Sequence, residues 1–266
     1  MTFTVQRGDA LRLLTGLADN SIDAVITDPP YSSGGTFRSD RNASAKSKYL
    51  TTGSAAHDRL PEFYGDNRTE RGLLLWCSLW MSEAWRSTVS GGAIAVFCDW
   101  RSLPTMSDAL QAGGWSWRGT GVWIKPQSKS RPTMGGLWND TEYILWGSKG
   151  PRTGGECLPG SWNCAAPDSK TRLHVTEKPQ PILLDLVRLA PEGGHVLDPF
   201  CGSGSTGIAA LNRRRQFTGF ELSPEYAHRC VDRLRSFARH GSDVGTEGLS
   251  LFTPSPHEFS DDPVAP

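Results

Sequence analysis

Strand-like and helix-like segments alternate along most of this chain, and that alternation leaves few folds open to it. Apolar strand candidates begin near Phe3, Ala24, Ala93, Trp115, Glu142, His195 and Phe217. Helical periodicity fills residues 10–17, 73–89, 103–112, 182–189, 205–212 and 224–238 between them. The pattern predicts an α/β chain built on a doubly wound, mostly parallel sheet with helices on both faces. A length of 266 residues suffices for one sizeable core of that kind. In helix 73–89 two faces compete for the core, one through Leu75, Leu79 and Ser82, the other through Trp76, Trp80 and Ala84.

Three stretches break the rhythm. Residues 32–72 are rich in Ser, Gly, Asn and charge, and residues 126–140 and 150–173 in Gly, Pro and Ser. Insertions of such length in a compact domain are usually functional or disordered. The charge total is balanced, 28 Lys+Arg against 28 Asp+Glu, but its distribution is uneven. Arg38, Arg41, Lys46 and Lys48 face only Asp40, and Lys125, Lys129 and Arg131 have no acid among them. Residues 241–266 carry acids and no Lys or Arg, and without apolar periodicity they are expected to be a disordered acidic tail. The six cysteines form no C-x-x-C pair and read as reduced thiols of a cytoplasmic protein. Cys157, Cys164 and His174 lack a fourth ligand and the usual spacing, so no metal site is expected. The first residues lack the apolar core of a signal peptide, and no run approaches a membrane span. No membrane partner is expected.

Asp28-Pro29-Pro30-Tyr31 directly follows the apolar run of residues 22–27. Proline has no backbone N–H, so Pro29 and Pro30 offer carbonyl acceptors without a competing donor, on a chain of fixed φ. Asp28 adds a carboxylate, and Tyr31 a flat face on which a base can stack. A primary amine carries two N–H donors; Asp28 and a prolyl carbonyl can take one each. The chemistry this suits is methylation of an adenine or cytosine amino group, with the base extruded from the duplex.

A second motif, residues 195–206, runs from a strand through a glycine-containing turn into a helix: Asp198-Pro199-Phe200-Cys201-Gly202-Ser203-Gly204-Ser205-Thr206. Gly202 and Gly204 allow close backbone approach to a ligand. Glu221 closes the next strand, where an acid suits a bidentate grip on a ribose diol. Turn and acid together fit a nicotinamide cofactor as well as S-adenosylmethionine. An oxidoreductase, however, would leave residues 28–31 idle. A ring-carbon cytosine methyltransferase would need a nucleophilic cysteine, typically after proline, and no Pro-Cys occurs.

The two motifs together resemble the DNA amino-methyltransferases that make N6-methyladenine or N4-methylcytosine. Their order, catalytic motif first and cofactor motif last, is similar to the circularly permuted beta group. Gly8-Asp9-Ala10-Leu11 resembles the segment whose acid lies near the cofactor adenine. Thr176-Glu177-Lys178-Pro179 resembles the Thr-Gln-Lys-Pro segment that helps close the methionine pocket, with Glu177 at the Gln position. Gly219-Phe220-Glu221-Leu222 resembles the ribose-binding segment. The resemblance implies a Rossmann-like methyltransferase fold of seven strands, one antiparallel at the edge, with strands 24–27 and 195–197 side by side at the centre. It implies a catalytic set of Asp28, Pro29, Pro30 and Tyr31. It implies an S-adenosylmethionine site of Asp9, Lys178, Asp198, Phe200, Gly202, Gly204, Ser205, Thr206 and Glu221. Residues 1–240 would form the catalytic domain, with 32–72 as a DNA clamp and 126–173, interrupted by strand 142–146, as the target-recognition region. Arg38, Arg41, Lys46, Lys129 and Arg131 would then contact phosphates of double-stranded DNA. Members acting on cytosine more often carry Ser where Asp28 stands, which favours adenine over the N4-cytosine alternative. The resemblance also suggests a homodimer.

Overall fold

The computed structural model describes residues 2–31, 68–127, 134–168, 172–241 and 243. All five proposed phosphate contacts (Arg38, Arg41, Lys46, Lys129 and Arg131) lie outside the described residues, as do most of the clamp stretch and nearly all of the acidic tail.

Eight strands form one sheet: β1 (Phe3–Arg7), β2 (Ile22–Thr27), β3 (Thr88–Cys98), β4 (Ser116–Ile124), β5 (Thr141–Ser148), β6 (Ser161–Asn163), β7 (His195–Asp198) and β8 (Gln216–Glu221). The helices are α1 (Ala10–Thr15), α2 (Glu70–Ser87), α3 (Leu103–Ala112), α4 (Gln180–Leu186), α5 (Ser205–Asn212) and α6 (Pro224–His240). Strand order is β1-β8-β7-β2-β3-β5-β4-β6. The first five are mutually parallel, and β5 runs antiparallel to both β3 and β4. The mostly parallel Rossmann-like architecture expected from the sequence is therefore present.

Two details differ from expectation. The eighth strand, β6, comes from the Gly/Pro-rich stretch 150–173, where three residues pair with the end of β4 and bury Trp162. The antiparallel strand lies inside the sheet rather than at its edge, because β4 passes beyond β5 before the chain returns.

Period-two alternation sorts the central strands between two cores. Ala24 and Ile26 of β2 join Ala95 and Phe97 of β3 on the face covered by α4, α5 and α6. Val25, Ile94, Val96 and Cys98 face the opposite layer with Trp80, Met81 and Leu110 from α2 and α3. Helix α2 begins at a Thr69 cap whose hydroxyl accepts from the Gly72 N–H, earlier than hydrophobic periodicity alone suggests. Of its two competing faces, the one through Trp80 and Ala84 is core, while Leu75 and Leu79 are exposed. The tryptophans of this part of the sheet divide: Trp115 and Trp123 are buried, Trp146 is partly buried, and Trp117 is exposed. No described helix is long and apolar enough to cross a membrane.

The central feature for function is the pairing of β2 with β7, in which Ala24 meets Val196 and Val25 meets Leu197. From β2 the chain proceeds through α2 to β3 on one side. From β7 it proceeds through α5 to β8 on the other. The order of connection reverses between these neighbours, and open α/β sheets hold ligands outside the carboxyl ends of strands at such a reversal.

Close packing behind β7 and β8 depends on Gly207 in α5. A methyl group there would lie 2.8 Å from the Phe217 ring and 2.9 Å from Leu234. Gly207→Ala gains at most about 1 kcal/mol of helix propensity, but overpacking in a filled core costs about 1–3 kcal/mol. Urea unfolding of Gly207→Ala is expected to show a net loss of stability of about 1–2 kcal/mol.

Candidate active site

Both sequence motifs leave the sheet at the reversal point. Asp28, Pro29, Pro30 and Tyr31 follow β2, and Pro199, Phe200 and Gly202 follow β7; all seven line one cavity with Gly8, Asp9 and Glu221. A smaller cavity beside it is lined by Asp28, Lys178, Asp198, Ser205 and Thr206, among others. The four residues expected to be catalytic are thus contiguous with most of those expected to hold a cofactor. Gly204 lies just behind, and its backbone caps α5.

Asp198 ties the two motifs together. Its Oδ1 accepts from the Thr27 hydroxyl at 2.6 Å and from the Phe200 N–H at 3.1 Å. Burial pushes its carboxyl up to about 6, against the pull of Thr27, Thr206 and Phe200. The turn after it requires glycine. Gly202 and Gly204 have φ of 51° and 87°, the left-handed region. Space is equally restrictive: a methyl at Gly204 would sit 2.7 Å from Cys230 Sγ, and one at Gly202 would sit 3.2 Å from the His174 ring. Ser205 is turned to a structural task, since its hydroxyl donates to Glu177 and accepts from the buried Arg233. Glu177 also accepts from the Leu173 N–H at 2.6 Å and pairs with Arg233 at 2.9 Å, fastening segment 173–178 to α5 and α6.

At the far end of the cavity, β1 and β8 run side by side with Arg7 opposite Glu221. Asp9 caps α1, its Oδ1 accepting from the Arg12 N–H at 3.2 Å. Glu221 accepts from the N–H groups of Gly202 at 2.9 Å and Ser223 at 2.8 Å. Burial nonetheless raises its carboxyl to about 7.

Asp28 belongs to a line of alternating charges that sequence reasoning did not assemble. Lys125 Nζ lies 2.5 Å from Glu142 Oε1, Lys178 Nζ lies 3.5 Å from Glu142 Oε2, and the same ammonium lies 2.5 Å from Asp28 Oδ2. Lys178, expected on the cofactor side, therefore has its ammonium on the Asp28 carboxylate. Burial would lower that ammonium, but the two carboxylates raise it above the ordinary lysine value. Burial would likewise raise Glu142, but Lys178 and Lys125 outweigh it and hold the acid below its usual range. For Asp28 burial wins: its carboxyl is pushed up to about 6, with Lys178 pulling the other way and Glu142 adding to the rise. The remaining oxygen, Asp28 Oδ1, is buried and has no hydrogen-bond partner among the described residues.

Three further residues line the cavity without having been read from the sequence. Trp76 of α2 packs 5.2 Å from the Phe200 ring, and the Arg68 guanidinium lies over Trp76 at 3.9 Å. His174 packs 4.2 Å from Tyr226, and burial drives its imidazole down to about 3, so the ring is neutral. Sequence signals among them were Trp76, on one of the two competing faces of α2, and His174, weighed only as a metal ligand. At the same edge of the sheet, in the loop before β5, Met134 and Leu137 are almost fully exposed and Trp138 partly so.

Comparison with known proteins agrees with this geometry. The DNA methylase family model for N6/N4 methyltransferases matches residues 22–154 and 151–232. The Escherichia coli (strain K12) protein YubD is 29% identical over 252 residues, covering 93% of this chain and 96% of its own. Among solved structures, M1.HpyAVI in complex with SAM superposes with a TM-score of 0.61 at 22% identity, covering 88% of this chain and 99% of that one. The cytosine-N4-specific PvuII DNA methyltransferase superposes with a TM-score of 0.63 at 16% identity, covering 87% and 86%. The two superpositions establish a shared fold. The chain belongs to the DNA methylase family of N6/N4 methyltransferases.

Thr27 offers a direct test of how the motifs are joined. Thr27→Val keeps the shape and removes the hydroxyl that Asp198 accepts. Loss of one hydrogen bond to a buried carboxylate is expected to cost about 1–3 kcal/mol, measured by urea unfolding.

Proposed function

We propose that this DNA methylase transfers a methyl group from S-adenosylmethionine to the N6 amino group of adenine in double-stranded DNA, with the base turned out of the helix. The observation that carries the reading is Asp28 Oδ1, a buried acceptor without a partner among the described residues, on a side chain lining a cavity that also holds the glycine turn and Glu221. A buried oxygen of this kind is costly unless a ligand supplies a donor. An exocyclic amine supplies two.

The cavity suits a nucleoside cofactor. Glu221, at the end of β8, would receive the ribose hydroxyls; Asp9 and Leu222, which line the same cavity, would hold the adenine; Gly202 would let the backbone approach. Asp198, Thr206 and Lys178 line the neighbouring cavity, where the methionine portion would lie. When bound, S-adenosylmethionine supplies a methyl group on a positively charged sulfur, activated without any protein nucleophile.

What the chain must add is alignment. An aromatic amine is a weak nucleophile because its lone pair is delocalised into the ring. Asp28 Oδ1 and the Pro29 carbonyl would each accept one N–H, holding the nitrogen pyramidal and its lone pair directed across the reversal point. Fixing the reactants in this way supplies much of the rate enhancement. Tyr31 gives the base a stacking face, and Trp76 with Phe200 closes the apolar side of the cavity. After transfer the nitrogen carries an extra proton, which the Asp28 carboxylate is placed to accept. Of the region assigned to target recognition, loop 134–140 is the described stretch that carries the exposed Met134, Leu137 and Trp138, while 161–163 joins the sheet as β6.

Asp28 in place of Ser favours adenine over cytosine. Incubation with unmethylated DNA and labelled cofactor, followed by mass spectrometry of the nucleosides, is expected to yield N6-methyladenine; N4-methylcytosine as the product would overturn that choice. Asp28→Ala is expected to abolish transfer while cofactor affinity stays within about threefold, because Asp28 meets the base rather than the ribose. Retained turnover would refute the assignment.

The raised Glu221 carboxyl sets a pH dependence. Ribose hydroxyls donate to the ionised form, so binding favours loss of the proton. Cofactor affinity measured by calorimetry is therefore expected to rise by about tenfold as pH increases from 5.5 through 7 to 8, and then level off. In Glu221→Gln this rise should largely disappear.

A further inference from the structure

We propose that Glu142 is a positioning residue for methyl transfer: by sharing the Lys178 ammonium with Asp28, it confines that ammonium to Oδ2 and keeps Oδ1 open for the target amine. The inference rests on the assignment of Asp28 as acceptor of the amine.

An ammonium is a compact point charge, and where water is scarce its position is set by all the carboxylate charge around it. Lys178 is 6% exposed, so water offers it little alternative. It contacts one oxygen of Asp28, at 2.5 Å, while Glu142 Oε2 draws it from the other side at 3.5 Å. Glu142 in turn is anchored by Lys125 at 2.5 Å, and the Lys125 N–H donates to the Asp140 carbonyl at 2.7 Å. Two positive and two negative groups thus alternate in a row that ends at the open oxygen of Asp28. The aromatic rings of Phe97 and Tyr31, 5.3 and 5.9 Å from the ammonium, limit its sideways movement.

The fold explains how Glu142 gets there. β5 is antiparallel, so its amino-terminal residues reach the same edge as the carboxyl ends of β2, β3 and β4. Glu142 pairs in register with Trp123 and stands next to Lys125 just past β4. The charged and titratable groups closest to Asp28 are Lys178 and His174 from the segment before α4, Glu142 from β5, Asp198 from β7 and Cys98 from β3; Arg68, Asp9, Glu221, Glu177, Cys201 and Tyr31 line the same cavities with it. His174 is neutral and Cys98 is held protonated by burial. Lys178 and Glu142 are therefore the charges that set the state of Asp28 from either side, with Asp198 a smaller contributor.

Glu142→Gln keeps the shape and an acceptor for Lys125 but removes the competing charge. The ammonium should then close onto both oxygens of Asp28. Two effects follow, with defined signs. Turnover of the DNA substrate should fall about 10- to 100-fold, because the amine must now displace a cation to be aligned. The acid limb of the kcat/KM profile should move to lower pH, because a neighbouring negative charge that raises the Asp28 carboxyl has gone. A residue that only packs the strand would lower activity without moving that limb downward.

The experiment measures methyl transfer against pH for wild type, Glu142→Gln, Glu142→Asp, Lys178→Met and the double variant Glu142→Gln/Lys178→Met. Cofactor titration of each confirms that the cavity has folded. Glu142→Asp should recover most of the rate. Glu142→Gln should lose little more in the Lys178→Met background, because Glu142 acts through that ammonium. Wild-type turnover with an unshifted acid limb in a Glu142→Gln protein that binds cofactor would overturn the inference, as would fully additive losses in the double variant. Should Glu142→Gln not fold, Glu142→Ala carries the same test, and wild-type turnover with an unshifted acid limb in a Glu142→Ala protein that binds cofactor would overturn it. Asp28→Ala, run alongside, separates the two levels. Activity retained there removes the assignment of Asp28 itself, whereas activity lost there with Glu142→Gln unaffected removes only the role of Glu142.

Discussion

A buried hydrogen bond from the Thr27 hydroxyl to Asp198, 171 positions further along the chain, locks together the carboxyl ends of the paired strands β2 and β7. It sits at the ends of β2 and β7, the one place in the sheet where neighbouring strands lead outward in opposite directions. Without that register, residues 28–31 and the glycine turn would be separate surface loops. With it, their side chains face a common crevice. The bond also explains why a carboxylate is kept in so dry a place. Asp198 accepts from the Thr27 hydroxyl of one motif and the Phe200 N–H of the other, and no apolar residue could hold both.

The crevice is lined by acids whose environments drive them apart. Asp198 and Glu221 are met by neutral donors, which offset only part of the cost of burial, so both titrate well above ordinary carboxyls. Glu142 lies between two ammonium groups and titrates below them. Asp28, sharing one ammonium but with Glu142 close by, is pushed up to about 6, as Asp198 is. Glu142 is the one of these four held low, and what sets it apart is the number of cations within reach. That number is set by which strand ends converge, so the electrostatics of the site are a consequence of sheet topology.

Local motifs were legible because they carry their own structural reasons. A Pro-Pro pair must end β2, and a strand followed by Gly-x-Gly must open α5 with left-handed residues, whatever else the chain does. The alternation of periods likewise exposed the order of elements. Interactions between distant segments left no such trace. Glu142 is an unremarked acid in an apolar strand until β5 is seen to enter the sheet antiparallel between β3 and β4. Trp76 and Leu75 are adjacent aromatic and aliphatic residues with similar claims on the core, and the choice of face followed from packing of α2 against Phe200 and β3. β6 was hidden because three residues are too few to show a period. It forms because Trp162 finds an indole partner in the Asp185 carboxylate and a pocket behind β4.

The same topology bears on why a chain of this type tolerates an antiparallel strand in an otherwise parallel sheet. A parallel strand delivers only its last residues to the ligand edge, and the segment after it must serve as both loop and helix start. An antiparallel strand delivers its first residues there, backed in β5 by the remainder of its eight residues, Tyr143–Ser148. Glu142 is consequently held in the ladder opposite Trp123 of β4, one residue beyond the Tyr143–Cys98 pair with β3, whereas Asp28 and Lys178 sit on irregular backbone. Rigidity in the charge that shares the ammonium, and freedom in the loops that meet the substrate, is the division of labour that preorganised sites require. The side chain most firmly fixed in the sheet is thus not the one that touches the reacting amine but the one that determines which oxygen is left to receive it.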